Sequence, residues 1–250
     1  MAKLSTYALA GALAVALAPV AGYAADLPEP PLLEPLPEPV EFGSSWYLRG
    51  DVGYKVYRNP KVSYAGTGFR SEDLDDTAVI GGGVGYKFNS WIRADLTLDY
   101  EFKSDFKGRL LCVSAPCGGG GAGLYSSEKA KISAWTPLAN VYADLGTWHG
   151  ITPYIGAGVG ASYIKVSNYK YTNPNGVSGS QKSDSDWSFS WALMAGVGYN
   201  VTDNLIIDAG YRYLNLGDGQ AKVVSGSGGK VKFDDLQAHE FRVGFRYMID

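Results

Sequence analysis

Apolar and polar residues alternate with a period of two along much of the chain between Trp46 and Tyr247. The clearest stretch is Trp91–Lys103. There Ile92, Ala94, Leu96, Leu98, Tyr100 and Phe102 interleave with Arg93, Asp95, Thr97, Asp99, Glu101 and Lys103. Successive side chains of a β-strand point to opposite faces, so this segment is apolar on one face and charged on the other. About ten such residues, tilted, span a bilayer. The pattern predicts eight strands, at residues 45–57, 77–89, 91–103, 131–145, 151–166, 186–201, 205–216 and 236–248. Pro137 is awkward for the fourth, because proline donates no ladder hydrogen bond. Ile206 interrupts the polar face of the seventh.

The connections alternate as well. The Ser90 region, Gly146–Gly150 and Thr202–Asn204 are short turns. Arg58–Asp76, Ser104–Ala130, Ser167–Ser185 and Gly217–Asp235 are long and polar. Antiparallel neighbours gather all short turns at one end and all long loops at the other, which is the layout of a bacterial outer-membrane barrel. An open sheet edge is not viable in lipid, so the strands must close on themselves.

Which face is inside follows from the charges. Arg49, Lys55, Lys87, Arg93, Arg212, Arg242 and Arg246 share the polar face with Asp51, Asp95, Asp99, Glu101, Asp144, Asp208 and Glu240. The two signs are equal in number, as a closed lumen requires, because an unpaired buried charge costs several kcal/mol. The other face is aliphatic in its middle. Trp46, Phe88, Tyr199, Phe245 and Tyr247 lie toward the short-turn end, and Phe102, Trp135, Tyr163, Phe189 and Tyr213 toward the other. Such bands match the two membrane interfaces. The expected fold is all-β: an eight-stranded antiparallel up-and-down transmembrane β-barrel with short periplasmic turns and long outer loops. At that strand number side chains fill the interior, so the lumen is expected to be plugged by an ion-pair network.

The start of the chain has a different character. Lys3, the apolar Tyr7–Ala18 and the small residues before Ala25 read as a signal peptide over residues 1–24. Residues 25–42 form a Pro/Glu-rich periplasmic linker, with Leu27–Val40 reading LPEPPLLEPLPEPV. Residues 43–250 form the barrel domain. Glycine (33) and tyrosine (18) are abundant in the 250 residues, and the net charge is −3. With the acidic linker removed, the remainder is close to neutral and has no basic face of the kind a nucleic-acid binder needs. A mean hydropathy of −0.10 is too polar for helical spans but ordinary for an alternating barrel.

Candidate chemistry is sparse. Cys112 and Cys117 in one Gly-rich stretch are a candidate disulfide, worth about 2 kcal/mol in the chain-entropy model. Gly81–Gly85 and Gly156–Gly160 look like dinucleotide loops, but no helix follows either, so they are expected to be small lumen residues. Asp95 and Asp99 share a face and belong to an ion network more readily than to a proton-handling pair. His149 lies in a short turn. His239 stands beside Glu240, with Ser183–Ser185 across the loops. A lone histidine is thin support for catalysis, so no enzyme activity, cofactor or metal is expected. Lys107, Arg109, Lys129, Lys165, Lys170, Lys222, Lys230 and Lys232 populate the long loops, where they could hold lipopolysaccharide phosphates or a host ligand. Tyr163, Tyr169 and Tyr171 are candidates for stacking on haem or sugar.

Several motifs, in order, carry a family resemblance over essentially the whole mature chain. They are Ala25-Asp26-Leu27-Pro28 with the Pro-rich lead, Trp46-Tyr47-Leu48-Arg49-Gly50, Asp144-Leu145-Gly146, Thr152-Pro153-Tyr154-Ile155-Gly156-Ala157-Gly158 and Tyr211-Arg212-Tyr213-Leu214. The chain resembles the alphaproteobacterial porin-family, opacity-type outer-membrane proteins, which are eight-stranded barrels of the OmpA transmembrane type. The resemblance implies an outer-membrane protein of a Gram-negative bacterium with both termini periplasmic. Its implied role is structural and surface-exposed: envelope integrity, surface antigen or adhesin-like contact through the outer loops. Implied partners are outer-membrane lipid and lipopolysaccharide, the barrel assembly machinery and a host or surface ligand. A narrow porin for small solutes is the alternative, and haem or host-ligand binding by the loops a lesser one. One departure is the ending: the aromatic series stops at Tyr247, and Met248-Ile249-Asp250 follow where the family has a terminal Phe.

Overall fold

The computed structural model describes residues 45–64, 67–112, 123–222 and 230–249. The expected signal peptide and linker lie outside the described residues. The chain forms strands β1 (Trp46–Tyr57), β2 (Lys61–Tyr64), β3 (Thr67–Gly68), β4 (Arg70–Leu74), β5 (Thr77–Lys87) and β6 (Ile92–Leu111). It continues with β7 (Tyr125–Asp144), β8 (Ile151–Thr172), β9 (Ser178–Gln181), β10 (Asp184–Asn200), β11 (Leu205–Lys222) and β12 (Lys230–Ile249). Eight of them, β1, β5, β6, β7, β8, β10, β11 and β12, pair antiparallel in that order. β12 pairs back on β1 from Trp46↔Ile249 to Tyr57↔Ala238, which closes the ring. Met248 and Ile249 are therefore part of the closing ladder, not an extension beyond it.

The alternation places the faces. Trp46, Leu48, Val52, Leu96, Ile155, Val159, Leu193, Val197 and Val243 are all exposed on the outer wall, where the strands cross lipid. The short-turn band of Trp46, Phe88, Tyr199, Phe245 and Tyr247 is exposed on the same wall. Glycines lie where bulky inward side chains cross a neighbouring strand. A Cβ at Gly85 would overlap the Tyr47 ring, and one at Gly81 would overlap the Asp99 carboxylate. Both glycine runs are thus strand interior. Pro137 is also accommodated: the β7–β8 ladder runs from Trp135↔Tyr163 to Leu138↔Gly160 and omits the proline between them.

The long-loop end differs from the expectation of loops. β6 and β7 continue to Leu111↔Tyr125, and β11 and β12 to Lys222↔Lys230. The first long connection folds into β2, β3 and β4. β2 joins the edge of β12, while β4 joins β6. The wall therefore rises past the outer aromatic band. Five irregularities interrupt the period of two at this end. An extra residue enters β4 at Ser71, β6 between Glu101 and Ser104, β8 at Asn168, β11 between Asn215 and Gly217 and β12 at Asp235. Ser71, Asn168 and Asp235 adopt positive φ, at 54°, 53° and 54°. One extra residue exchanges the faces of everything beyond it. In β6, Arg93, Asp95, Asp99 and Glu101 point inward below the bulge, and Ser104 and Phe106 point inward above it. Lys103, expected on the inward polar face, is turned outward.

Candidate functional site

The barrel interior has two layers. The layer nearer the short turns is ionic. Arg242 pairs with Asp51, with Asp99 at 2.7 Å and with Glu240 at 3.1 Å. Arg212 holds Asp99 and Glu240, each at 2.6 Å. Lys55 bridges Glu101 and Glu240. Arg49 reaches Asp95 at 2.9 Å and Asp51 at 3.3 Å. Arg93–Asp144 and Arg246–Asp208 complete the layer at 3.1 and 2.6 Å. Neutral groups add hydrogen bonds to the layer: Asn140 donates to Asp95 at 2.8 Å, and Tyr57 donates to Glu101 at 2.7 Å. The Arg93 guanidinium lies 3.9 Å from the Tyr142 ring centre. Lys87 is half-buried at the end of β5 and joins no ion pair among the described residues.

Above the ions runs a line of hydroxyls. Thr136 Oγ1 and Ser162 Oγ are 2.9 Å apart, Ser190 Oγ donates to Ser162 at 2.7 Å, and Ser190 reaches the Leu216 carbonyl. Above these, the interior becomes apolar. Phe106 packs edge-on to Phe233 at 5.3 Å, with Phe69, Ile132, Val166 and Leu216 in the same cluster. The alternation read from sequence covers the ionic layer and reaches Ile132, Val166 and Leu216 at the outer ends of predicted strands, but misses Phe69, Phe106 and Phe233, which lie in segments that read as polar loops. The interior cavity lined by Arg49, Asp51, Asn140, Arg212 and Arg242 has a volume of about 30 Å³, room for about one water. The lumen is filled.

The outer wall of the extension is wet and basic. Lys107, Lys129 and Lys170 face one another in direct register across β6, β7 and β8, and Arg70 opposes Arg109. Like charges directly opposite are unfavourable in a sheet. Asp75 answers Lys107 at 3.2 Å, whereas Lys129 and Lys170 meet no carboxylate among the described residues.

Within the cap, burial raises the Glu128 carboxyl above its ordinary pKa. Hydrogen bonds from Ser126 and Tyr169 oppose that rise.

Residues 10–248 match the family described as the outer membrane protein beta-barrel domain. The chain belongs to that family. It is 37% identical over 265 residues to an uncharacterized protein of Brucella suis, covering 91% of this chain and 92% of the relative. It is 30% identical over 211 residues to a Rickettsia bellii protein whose name proposes an adhesin, covering 82% and 88%. In structure it is similar to the Pseudomonas aeruginosa outer membrane protein OprG, with a TM-score of 0.51 at 15% identity, covering 82% of this chain and 96% of that one. This is an integral barrel of a Gram-negative outer membrane.

The remaining candidates are dispersed over the barrel. Asp95 and Asp99 have separate cationic partners, Arg49 for the first and Arg212 with Arg242 for the second. His239 lies on the outer face, its Nδ1 2.6 Å from the Tyr211 hydroxyl, while Glu240 points inward. Ser185 bonds the Tyr163 hydroxyl at 2.7 Å. Tyr163 is on the outer wall and Tyr169 is in the cap core, so the three tyrosines form no common platform. Cys112 is buried, and no free cysteine occurs among the described residues. Cys117, with Lys222 and Lys230 side chains, lies outside what is described.

Proposed function

We infer that this barrel is a non-catalytic, surface-exposed envelope protein that makes contacts through its raised outer rim. One observation carries the reading. The interior is filled from the ionic layer to the Phe106–Phe233 cap, while the strands continue outward and present a basic surface. A wall built beyond the membrane with nothing passing through it serves what meets its outside. Short turns and both chain ends then face the periplasm, and the rim faces out. The uncompensated lysines favour an anionic surface partner, either neighbouring lipopolysaccharide or a host surface. The name of the Rickettsia bellii relative supports contact of the adhesive kind. The barrel assembly machinery would insert the chain, Cys112 and Cys117 would pair by disulfide, and no catalytic group or cofactor is invoked.

Attachment tests the reading. Cells displaying the barrel should bind epithelial monolayers better than cells without it. Lys129→Gln with Lys170→Gln should remove much of the gain. An intact displayed barrel that adds no attachment would overturn it. A narrow porin is the second reading, and planar bilayers separate the two: steady conductance proportional to salt would establish a channel.

A further inference from the structure

The outer wall carries an open groove of about 520 Å³ where β6, β7 and β8 cross the outer aromatic band. We propose that this groove binds the phosphorylated saccharide headgroup of an outer-leaflet glycolipid. Its floor is an aromatic row in direct register, Tyr100↔Trp135↔Tyr163, with Tyr100 and Trp135 ring centres 4.6 Å apart. Trp135 is exposed on the lipid-facing wall. Two residues further out along β7, about 7 Å at strand rise, stands a polar row. Ser133 is at its centre, Lys165 is its cross-strand partner, and Lys103 comes from the facing bulge.

Each part has a local cause. Without the β6 bulge, Lys103 would follow Arg93, Asp95, Asp99 and Glu101 into the lumen. The extra residue turns it out into the groove. The bulge at Asn168 lines the opposite rim. Lys103 and Lys165 are exposed and join no ion pair among the described residues. Ser133 lines the groove while only 8% exposed, and its hydroxyl has no partner among the described residues.

Those features specify the occupant. Aromatic faces stack on the apolar faces of sugar rings and sit at the headgroup level of the bilayer. Two free ammonium groups and an unpartnered serine hydroxyl immediately above them suit a phosphate on that sugar. Acyl chains attached below would continue along the exposed aliphatic wall at Leu98 and Val159. A soluble anionic glycan would satisfy the lysines but leave that lower contact unused. The groove lies below the Lys107–Lys129–Lys170 row, so the assignment does not rest on the adhesive reading.

The test holds the full-length barrel in phosphatidylcholine nanodiscs, titrated with bis-phosphorylated lipid A and read by native mass spectrometry. Wild type should retain one lipid A in preference to phosphatidylcholine. Charge-assisted contacts of this kind set the expected loss at about tenfold per lysine removed. Lys103→Gln with Lys165→Gln should therefore weaken retention by roughly a hundredfold. Dephosphorylated lipid A should behave toward wild type as lipid A does toward the double variant. Both lysines are exposed, so the heat-modifiable gel shift should persist in the variant and report an intact barrel. Arg58→Gln with Lys61→Gln, two exposed cations beside β2 on the opposite side of the ring from β7, should leave retention unchanged. Equal retention by wild type and the Lys103/Lys165 variant would overturn the site. So would loss of retention in the Arg58/Lys61 variant equal to that in the groove variant, which would mean diffuse electrostatics. Competition by a water-soluble phosphorylated disaccharide as effective as lipid A itself would overturn the lipid as occupant.

Discussion

Lys55 offers the most direct test of how the interior is held together. It is fully buried, and its ammonium lies between Glu101 and Glu240, which are buried as well. Lys55→Met keeps the length of the side chain and deletes the charge. Glu240 would keep Arg212 at 2.6 Å and Arg242 at 3.1 Å, so it stays compensated. Glu101 would keep only neutral partners, the Tyr57 hydroxyl at 2.7 Å and Thr136 at 3.4 Å. It becomes the uncompensated buried charge, and breaking a buried pair in this way costs about 3–5 kcal/mol. Lys55→Met combined with Glu101→Gln removes both charges and keeps the shape, so it should cost only about 1–2 kcal/mol. The double variant is then more stable than the Lys55 single variant, with a coupling of about 2–3 kcal/mol in the double-mutant cycle. Reversible urea unfolding from lipid vesicles, followed by tryptophan fluorescence, measures it. A single variant costing less than about 1 kcal/mol, or a double variant whose cost is the sum of the two singles, would show that the ammonium is not what neutralises Glu101.

Other expectations follow from the faces and the layers. Leu96 is 63% exposed in the middle of β6, so Leu96→Arg should cost about 2–4 kcal/mol in the same assay. Ile249 is on the same wall at the short-turn end, so Ile249→Arg should cost about 0–1 kcal/mol, and equal costs would remove the lipid midplane from Leu96. Deleting Lys103 should take out the extra residue of β6 and leave every face as it is, with Ser104 and Phe106 inward and Asp105 and Lys107 outward, so the outer hairpin should resist trypsin as in wild type; a newly cleaved hairpin would show that the bulge itself holds the cap together. Glu128 gives a pH dependence. Its pKa is raised in the folded cap by burial, so both states are protonated below the ordinary glutamate range, and the unfolded chain ionises first as pH rises. The cap therefore loses stability as pH rises from about 4 through the raised folded-state value. Hydrogen exchange of the β6–β7 outer hairpin, corrected for intrinsic rate, should show more protection at pH 4 than at pH 7, and Glu128→Gln should flatten the difference.

The membrane-spanning half was legible because lipid outside and ions inside enforce strict alternation. Arg93 through Glu101 announce both the strand and its inward face. The outer half was hidden for three separate reasons. Phe102 and Lys103 are both exposed, so the period of two breaks where the strand continues. Asn168 and Asp235 look like turn residues and do adopt positive φ, yet each sits inside a ladder. β2 and β4 are too short to show a period and gain their place only by joining the edges of β12 and β6. Among the site residues, Lys165 was visible as a loop cation. Its neighbour Lys103 reads as inward because it continues the polar series Arg93 to Glu101, and nothing in the sequence announces the extra residue between Glu101 and Ser104. Ser133 carries no signal in sequence, because only the register with Lys165 makes it part of a site.

The bulges and the change of interior have one physical origin. Within the bilayer, the wall must be apolar outside, so the polar members of each alternating pair fall inside and must neutralise one another. Above the bilayer, the outside is water, and an alternating strand is stable only with its apolar members inward. A strand that crosses this boundary must exchange its faces. β6 does so by inserting one residue, which keeps the alternation on both sides and inverts its sense. β7 does so by composition instead: its inward positions run from Asn140, Tyr142 and Asp144 below to Ala130, Ile132 and Ala134 above, in unbroken register parity. Thr136, Ser162 and Ser190 lie where the two interiors meet. Hydroxyls suit that level because they can bond to a carboxylate below and still pack against hydrocarbon above. On the outer wall, the β6 exchange brings Lys103 out immediately above the aromatic band. The insertion that lets the barrel leave the membrane thus also places a cation at the depth of the lipid headgroups.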